Sequence, residues 1–162
     1  MFEQYATPLL DRLTGGALQF SPANSKLSKL YKHDEVQRHL QGRKIYSLDL
    51  LSGHTCQFAK LCKSMAMMTE SGLRIEDGEH TEFRCYSASS EARPEATYNR
   101  RAHNTTALRS CKTEKQMVAL IESSLPFHAG IVRPPTAGDF FSTKYFRRRL
   151  HAFTKPPAAT VN

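Results

Sequence analysis

The sequence predicts an α/β protein, either a partial (βα) barrel or an open, mainly parallel sheet with flanking helices, folded as a single domain. Short apolar segments typical of buried strands alternate with segments of helical periodicity. Residues with unusual chemistry fall in the loops between these segments, as they do where ligands bind at the C-terminal ends of parallel strands. A chain of 162 residues that is 40% hydrophobic is long enough to bury one core.

Residues 1–44 are predicted to form a helical lead-in to this core. The apolar residues between positions 26 and 40 recur at roughly helical spacing. Gly42 follows them, as glycine commonly does past the end of a helix.

The α/β core is predicted over residues 45–153. Its first strand is the apolar run 45–51, and the residues from 58 to 68 are predicted to be helical. Asp-Gly at 77–78 predicts the turn of a hairpin, and a second strand is expected over 83–87.

Capping residues mark the helices in the second half of the core. Thr113 followed by Gln116 forms a capping box, and Ser142 is the expected N-cap of a last helix. The remaining predicted elements are helices over 91–110 and 113–123, a strand over 130–133, a helix over 143–153 and a disordered tail over 154–162.

The basic charge favours polyanionic partners. Lys and Arg total 23 against 15 acidic residues, a formal net charge of +8. Arg147, Arg148 and Arg149 are the predicted contacts to a nucleic acid or a phosphorylated ligand, the alternative being a solvated basic face. No apolar run reaches the ~20 residues that span a bilayer, and no secretory signal opens the chain, so a cytoplasmic location is expected.

Three cysteines predict a site for a soft metal. Cys56 follows the first predicted strand, Cys62 comes shortly after, and Cys85 lies in the second predicted strand. Loops after neighbouring parallel strands converge, and three thiolates suit an iron–sulfur cluster, or a zinc ion completed by His54. The alternative is that Cys56 and Cys62 are ordinary small hydrophobic residues, and a structural role is the interpretation favoured for Cys111.

A second candidate region follows the strand predicted to end at Arg133. Asp139, after Gly138, is placed at the functional edge of the sheet, where it is a candidate for binding a ligand. Arg133 is a candidate partner for Asp139 or for an anionic ligand. A polar stripe on the 91–110 helix, containing Arg101 and Asn104, is compatible with either solvent or the same cleft.

The segments YSLDLLSGHTC (46–56), TEFRCYSAS (81–89) and GDFFSTKYF (138–146) resemble the gene product eighty-eight family found in phages and some bacteria. The resemblance runs from about Phe20 to Phe146. It implies a phage-type protein acting in the host cytoplasm, and no established activity. The chain departs from the family pattern at Pro134-Pro135, where an aliphatic residue and a histidine are expected, and in a shorter C-terminal part.

The same family segments look like a radical S-adenosylmethionine-type partial barrel. That likeness implies a [4Fe–4S] cluster on Cys56, Cys62 and Cys85, with Gly138 and Asp139 near a bound S-adenosylmethionine. The usual CxxxCxxC motif is absent. Three functions therefore stay open, namely a cluster-binding enzyme or its inactive remnant, a zinc-stabilised nucleic-acid-binding protein, and a metal-free accessory protein that binds a host protein.

Overall fold

Five short strands form two separate sheets in the computed structural model, which describes residues 17–133 and 135–147. The first sheet has the order β1-β2-β5, in which β2 pairs antiparallel with β1 and parallel with β5. The second is the antiparallel hairpin β3-β4. The strands are β1 (Ser21–Pro22), β2 (Lys44–Ser47), β3 (Ser64–Thr69), β4 (Gly72–Asp77) and β5 (Ala129–Arg133).

Helices account for most of the remaining regular structure. They are a 3₁₀ helix (Leu27–Lys32) and the α-helices α1 (Asp34–Leu40), α2 (Tyr86–Glu91), α3 (Glu95–Ser110) and α4 (Glu114–Ser123). Residues 143–147 are also helical. In the portion of the chain that the structure describes, no helix is long and apolar enough to cross a bilayer.

The mixed α/β domain is confirmed, but the parallel sheet is smaller than predicted. Among the described residues β2 and β5 are the one parallel pair, and the strands do not close into a barrel. The strand predicted over 45–51 corresponds to β2 and ends at Ser47. Residues 48–51 are buried but no longer pair as a strand. Residues 1–16, Pro134 and residues 148–162, with the predicted tail, lie outside the described residues.

Two predicted elements and one predicted turn were wrong. The helix over 58–68 is a loop followed by β3, although Met and Ala favour helices, because pairing with β4 along its full length outweighs local propensity. The strand over 83–87 is a loop followed by α2. The predicted Asp77-Gly78 turn comes at the end of β4, and the hairpin turns before Gly72, whose φ is +101°.

The helix predictions were closer to the observed structure. The capping box of Thr113 and Gln116 is present at the start of α4. The amide of Tyr145 donates to the Ser142 hydroxyl, so Ser142 caps the helical residues 143–147 as expected. The helix predicted over 91–110 is divided, because Pro94 precedes the first residue of α3.

The hydrophobic core lies between the chain that follows β2 and helices α3 and α4. Tyr145 packs into it and stacks on Phe141 with a ring-centroid distance of 4.8 Å. The other buried members of the cluster are Leu18, Leu48, Leu50, Leu108, Met117 and Ile121. This core fixes the loop after β2, which carries the candidate site.

Candidate functional site

The loops that follow the parallel strands β2 and β5 run side by side, as the sequence predicts. The amide of Leu50 donates to the Ala137 carbonyl at 3.1 Å, and the amide of Thr136 donates to the Asp49 carboxylate at 2.9 Å. Further along, the amide of Asp139 donates to the Thr55 hydroxyl at 3.0 Å. These bonds continue the alignment of the two strands and bring Asp139 to the loop that carries Cys56.

Gly138 is required for this close approach. Its φ is +73°, a left-handed conformation that favours glycine. A Cβ atom there would lie 2.5 Å from the Thr55 hydroxyl oxygen and 2.8 Å from the Leu50 carbonyl oxygen. The glycine predicted to lie near a cofactor is therefore explained by packing between the two loops.

A buried ion pair holds the loop after β2 against helices α2 and α3. Glu91 is fully buried, and its carboxylate accepts from Arg101 Nη1 at 2.8 Å. The same carboxylate accepts from the Ser52 amide at 3.0 Å and from the Ser52 hydroxyl at 2.8 Å. The amide of Leu51 donates to the Thr105 hydroxyl at 2.9 Å. Burial of the Glu91 carboxylate and of the Ser52 and Thr105 hydroxyls is tolerated because each finds a partner, whereas Arg101 Nε is buried without a hydrogen-bond partner among the described residues.

The polar stripe of α3 thus faces the protein and not the solvent. Asn104 Nδ2 donates to the carbonyls of Asp49 at 3.1 Å and Gln19 at 2.9 Å. His103 Nε2 donates to the Ala17 carbonyl at 2.9 Å. The stripe therefore ties the N-terminal segment and the site loop to one helix.

The loops that carry the three candidate cysteines meet around Ser64, at the start of β3. The Ser64 amide donates to the Cys62 carbonyl at 2.8 Å, and the Ser64 hydroxyl accepts from the Cys85 amide at 3.2 Å. Gly53 packs directly on the Ser64 carbonyl, and its own carbonyl accepts from the Cys56 amide at 3.3 Å. Cys56, Cys62 and Cys85 therefore occupy one neighbourhood, each half-buried.

Cys56, Cys85 and Asp139 interact electrostatically. Burial raises the pKa of the Cys56 thiol, and the Asp139 carboxylate and the Cys85 thiol raise it further. Hydrogen bonds from the Gly53 backbone and the Thr55 side chain lower this pKa, but the net shift is upward. Like charges at close range disfavour one another, so the thiol of Cys56 is held protonated at neutral pH in the metal-free protein. Two of the predicted thiols and the predicted carboxylate are thus brought together.

The full predicted ligand set is not assembled. His54 Nε2 donates to the Ala66 carbonyl at 3.0 Å, so that its ring is held by β3. In residues 17–133 and 135–147, no group of three His, Cys, Asp or Glu side chains is arranged to hold a metal ion.

The remaining predicted site residues are more dispersed. Arg133 is the last residue of β5 and pairs with Ser47, whereas Asp139 accepts from the Phe140 amide at 2.7 Å through its own carboxylate. Arg147 is exposed on the last described helical turn. The rest of the predicted basic cluster, Arg148 and Arg149, lies outside the described residues.

Exposed aromatic and aliphatic side chains border the cysteine loops. The amide of Phe83 donates to the Leu61 carbonyl at 3.2 Å, which joins the 58–62 loop to the loop before α2. Phe58 and Tyr86 are 85% and 86% exposed. We call Phe58, Leu61, Phe83 and Tyr86 the aromatic rim.

Sequence reasoning missed Ser64, Thr55 and Glu91, which organise the site. Glu91 stands in a polar stretch of small residues, where a carboxylate is normally solvated. Its neighbours in the sequence therefore gave no indication that it is buried. Thr55 and Ser64 are common residue types whose role depends on partners far away in the chain.

Comparison with known proteins tests the family resemblance indicated by the segments YSLDLLSGHTC, TEFRCYSAS and GDFFSTKYF. No curated protein matches this chain. No solved structure matches it either. The sequence model of the family described as Gene product 88 matches residues 17–160, which is most of the chain. The chain therefore belongs to the gene product 88 family.

Proposed function

We propose that this gene product 88 protein binds an iron–sulfur cluster through Cys56, Cys62 and Cys85. The observation that supports the proposal is the convergence of the three cysteine loops on Ser64. Thiolates are the protein ligands that iron–sulfur clusters use. Cluster binding would require the three thiols to turn toward a common point by rotation about χ1, and each of these cysteines is half-buried.

The electrostatics of the pocket are compatible with a bound cation. Asp139 and Cys85 disfavour a thiolate at Cys56 while no cation is present, but a coordinated metal deprotonates thiols outright. Metal binding would therefore relieve the repulsion between these acidic groups and release protons. Asp139 would be the candidate contact to a further ligand of the bound cluster.

The finer assignment to a radical S-adenosylmethionine-type enzyme, active or an inactive remnant, depends on the cluster. In this assignment Gly138, Asp139 and Arg133 would be the residues near the cofactor, and the cluster would supply the reducing electron. The packing of Gly138 against Thr55 and Leu50 supports a structural role for that glycine. Because the assignment requires the cluster, binding of S-adenosylmethionine is to be measured on protein that holds iron and sulfide.

The decisive measurement is the iron, sulfide and zinc content of protein purified without oxygen, together with its visible spectrum. We expect iron, acid-labile sulfide and a broad absorbance band from the wild type. Each of Cys56→Ser, Cys62→Ser and Cys85→Ser should lose most of the iron, since thiolate ligands are few and each is needed. Cys111→Ser is the matched control and should keep it, because the Cys111 thiol packs on α3 and donates to the Ala107 carbonyl.

Two outcomes would contradict the proposal of an iron–sulfur cluster. Zinc without iron would support the zinc-stabilised alternative, in which His54→Gln should also release metal. Absence of any metal, before and after anaerobic reconstitution with iron and sulfide, would leave the cysteines as packing residues.

The metal-free accessory function has one structural observation in its favour, which is the aromatic rim. Exposed aromatic side chains are enriched where proteins bind one another. If the metal measurement is negative, the rim becomes the candidate surface for a host protein.

A further inference from the structure

A concentrated positive charge lies away from the cysteine loops, on the 3₁₀ helix, α1 and the start of β2. Residues 26–44 contain six Lys or Arg and two Asp or Glu, so this short segment carries half of the formal net charge of +8. We call its exposed cations the basic face; they are Lys26, Lys29, Lys32, Arg38 and Lys44.

Among residues 17–133 and 135–147, no acidic side chain forms an ion pair with the basic face. Among the residues that the structure describes, the ion pairs join Arg84 to Asp77 and Arg101 to Glu91, and neither includes residues 26–44. The acidic residues of the segment, Asp34 and Glu35, occupy the first turn of α1, where their negative charge interacts favourably with the positive end of the helix dipole. The basic face therefore presents free cations to solvent.

A cleft of about 490 Å³ opens on the same side of the molecule. Arg43 lies in its wall and is held in place, because its guanidinium donates to the carbonyls of Leu40 at 3.2 Å and His39 at 3.4 Å. The Tyr31 hydroxyl is fixed by the amide of Ile45 at 2.8 Å. The lining residues are Tyr31, Gln37, Leu40, Gly42, Arg43 and Lys44.

An exposed aromatic ring stands next to this charge. The amide of Lys44 donates to the His128 carbonyl at 2.6 Å, which brings the turn before β5 to the edge of the basic face. Phe127, one residue earlier, is 88% exposed and meets the His128 ring edge-to-face at 5.0 Å. A large apolar ring with so little burial contributes little to the core.

We infer that the basic face and Phe127 together bind a single-stranded nucleic acid. Exposed cations beside a cleft attract the phosphate backbone, and an exposed aromatic ring stacks on an unpaired base. A duplex keeps its bases stacked inside, so it would leave Phe127 unused. The arrangement of charge and ring together therefore favours a single strand. This inference is independent of the metal proposed above.

The test is fluorescence anisotropy of the full chain with labelled single-stranded DNA and RNA of about 15 nucleotides, at several salt concentrations. We expect log affinity to fall with log salt by about 0.7 for each phosphate contacted. Lys29→Glu with Lys32→Glu should weaken binding by about tenfold or more, from the loss and reversal of two phosphate contacts. Phe127→Ala should weaken it by about fivefold or more, through lost stacking.

A control of equal charge makes the result specific to this surface. Lys112→Glu with Lys115→Glu changes the net charge by the same amount at an exposed site at the start of α4. Circular dichroism should show all variants folded. The inference is supported if the control binds like the wild type. It is overturned if the control weakens binding as much as Lys29→Glu with Lys32→Glu, if Phe127→Ala has no effect, or if duplex DNA or polyglutamate binds equally well.

Discussion

Replacing Glu91 by alanine is expected to lower the free energy of unfolding by about 3–5 kcal/mol, the usual cost of removing one partner of a buried ion pair. The variant leaves the Arg101 guanidinium buried without its counter-charge. It also removes the acceptor for the amide and hydroxyl of Ser52. Urea unfolding followed by circular dichroism measures the change.

Asp77→Ala is the matched control. Asp77 forms an ion pair with Arg84 on the exposed end of the β3-β4 hairpin, where solvent screens the charges. We expect its loss to cost much less than the loss of Glu91, because an exposed ion pair contributes little to stability. Equal effects of the two substitutions would show that the Glu91–Arg101 pair does not hold the site loop. A double variant, Glu91→Ala with Arg101→Met, should recover part of the lost stability, because no unpaired charge then remains buried.

Gly53→Ala is expected to destabilise the protein by about 2–5 kcal/mol, from backbone strain and overpacking together. Gly53 has φ of +72°, and its added Cβ would overlap the Ser64 carbonyl and the Met65 side chain. Movement of the Met65 side chain would not relieve the overlap with the backbone carbonyl. The cysteine loop would therefore have to move away from β3. Thermal and urea unfolding of the variant measure the loss.

Gly72→Ala separates the two causes. Gly72 also has a positive φ, of +101°, but no atom lies within 4 Å of the position its Cβ would take. This variant should lose only the backbone term, about 1–2 kcal/mol. If Gly53→Ala is no worse than Gly72→Ala, then the contact between the cysteine loop and Ser64 is looser than the structure shows. The metal content of Gly53→Ala would then be expected to equal that of the wild type.

Local signals in the sequence predicted the elements whose stability is itself local. The capping box of Thr113 and Gln116 is satisfied within one turn, and β5 is a short β-rich run that is found where predicted. The sequence also predicted that the loops after parallel strands converge, and the loops after β2 and β5 are adjacent in space. The loop segments also indicated the family to which the chain belongs.

The residues that organise the site could not be identified in this way. Ser64 joins Cys62 to Cys85, and Glu91 holds the loop after β2, through hydrogen bonds between residues 21 and 39 positions apart. No short-range pattern reports such partners. The same limit explains why a helix was wrongly predicted over 58–68. Met and Ala favour helices, but pairing with β4 makes residues 64–69 a strand.

The sequence by itself determined the α/β class, the basic charge and the capped helices, because each depends on residue type or on neighbours within a few positions. The tertiary structure alone decided that the polar stripe of α3 faces inward, that His54 bonds to β3, and that Cys56 lies beside Cys85 and Asp139. Those arrangements depend on contacts across the fold. There the free energy of burying a polar group depends on whether a distant residue supplies its partner.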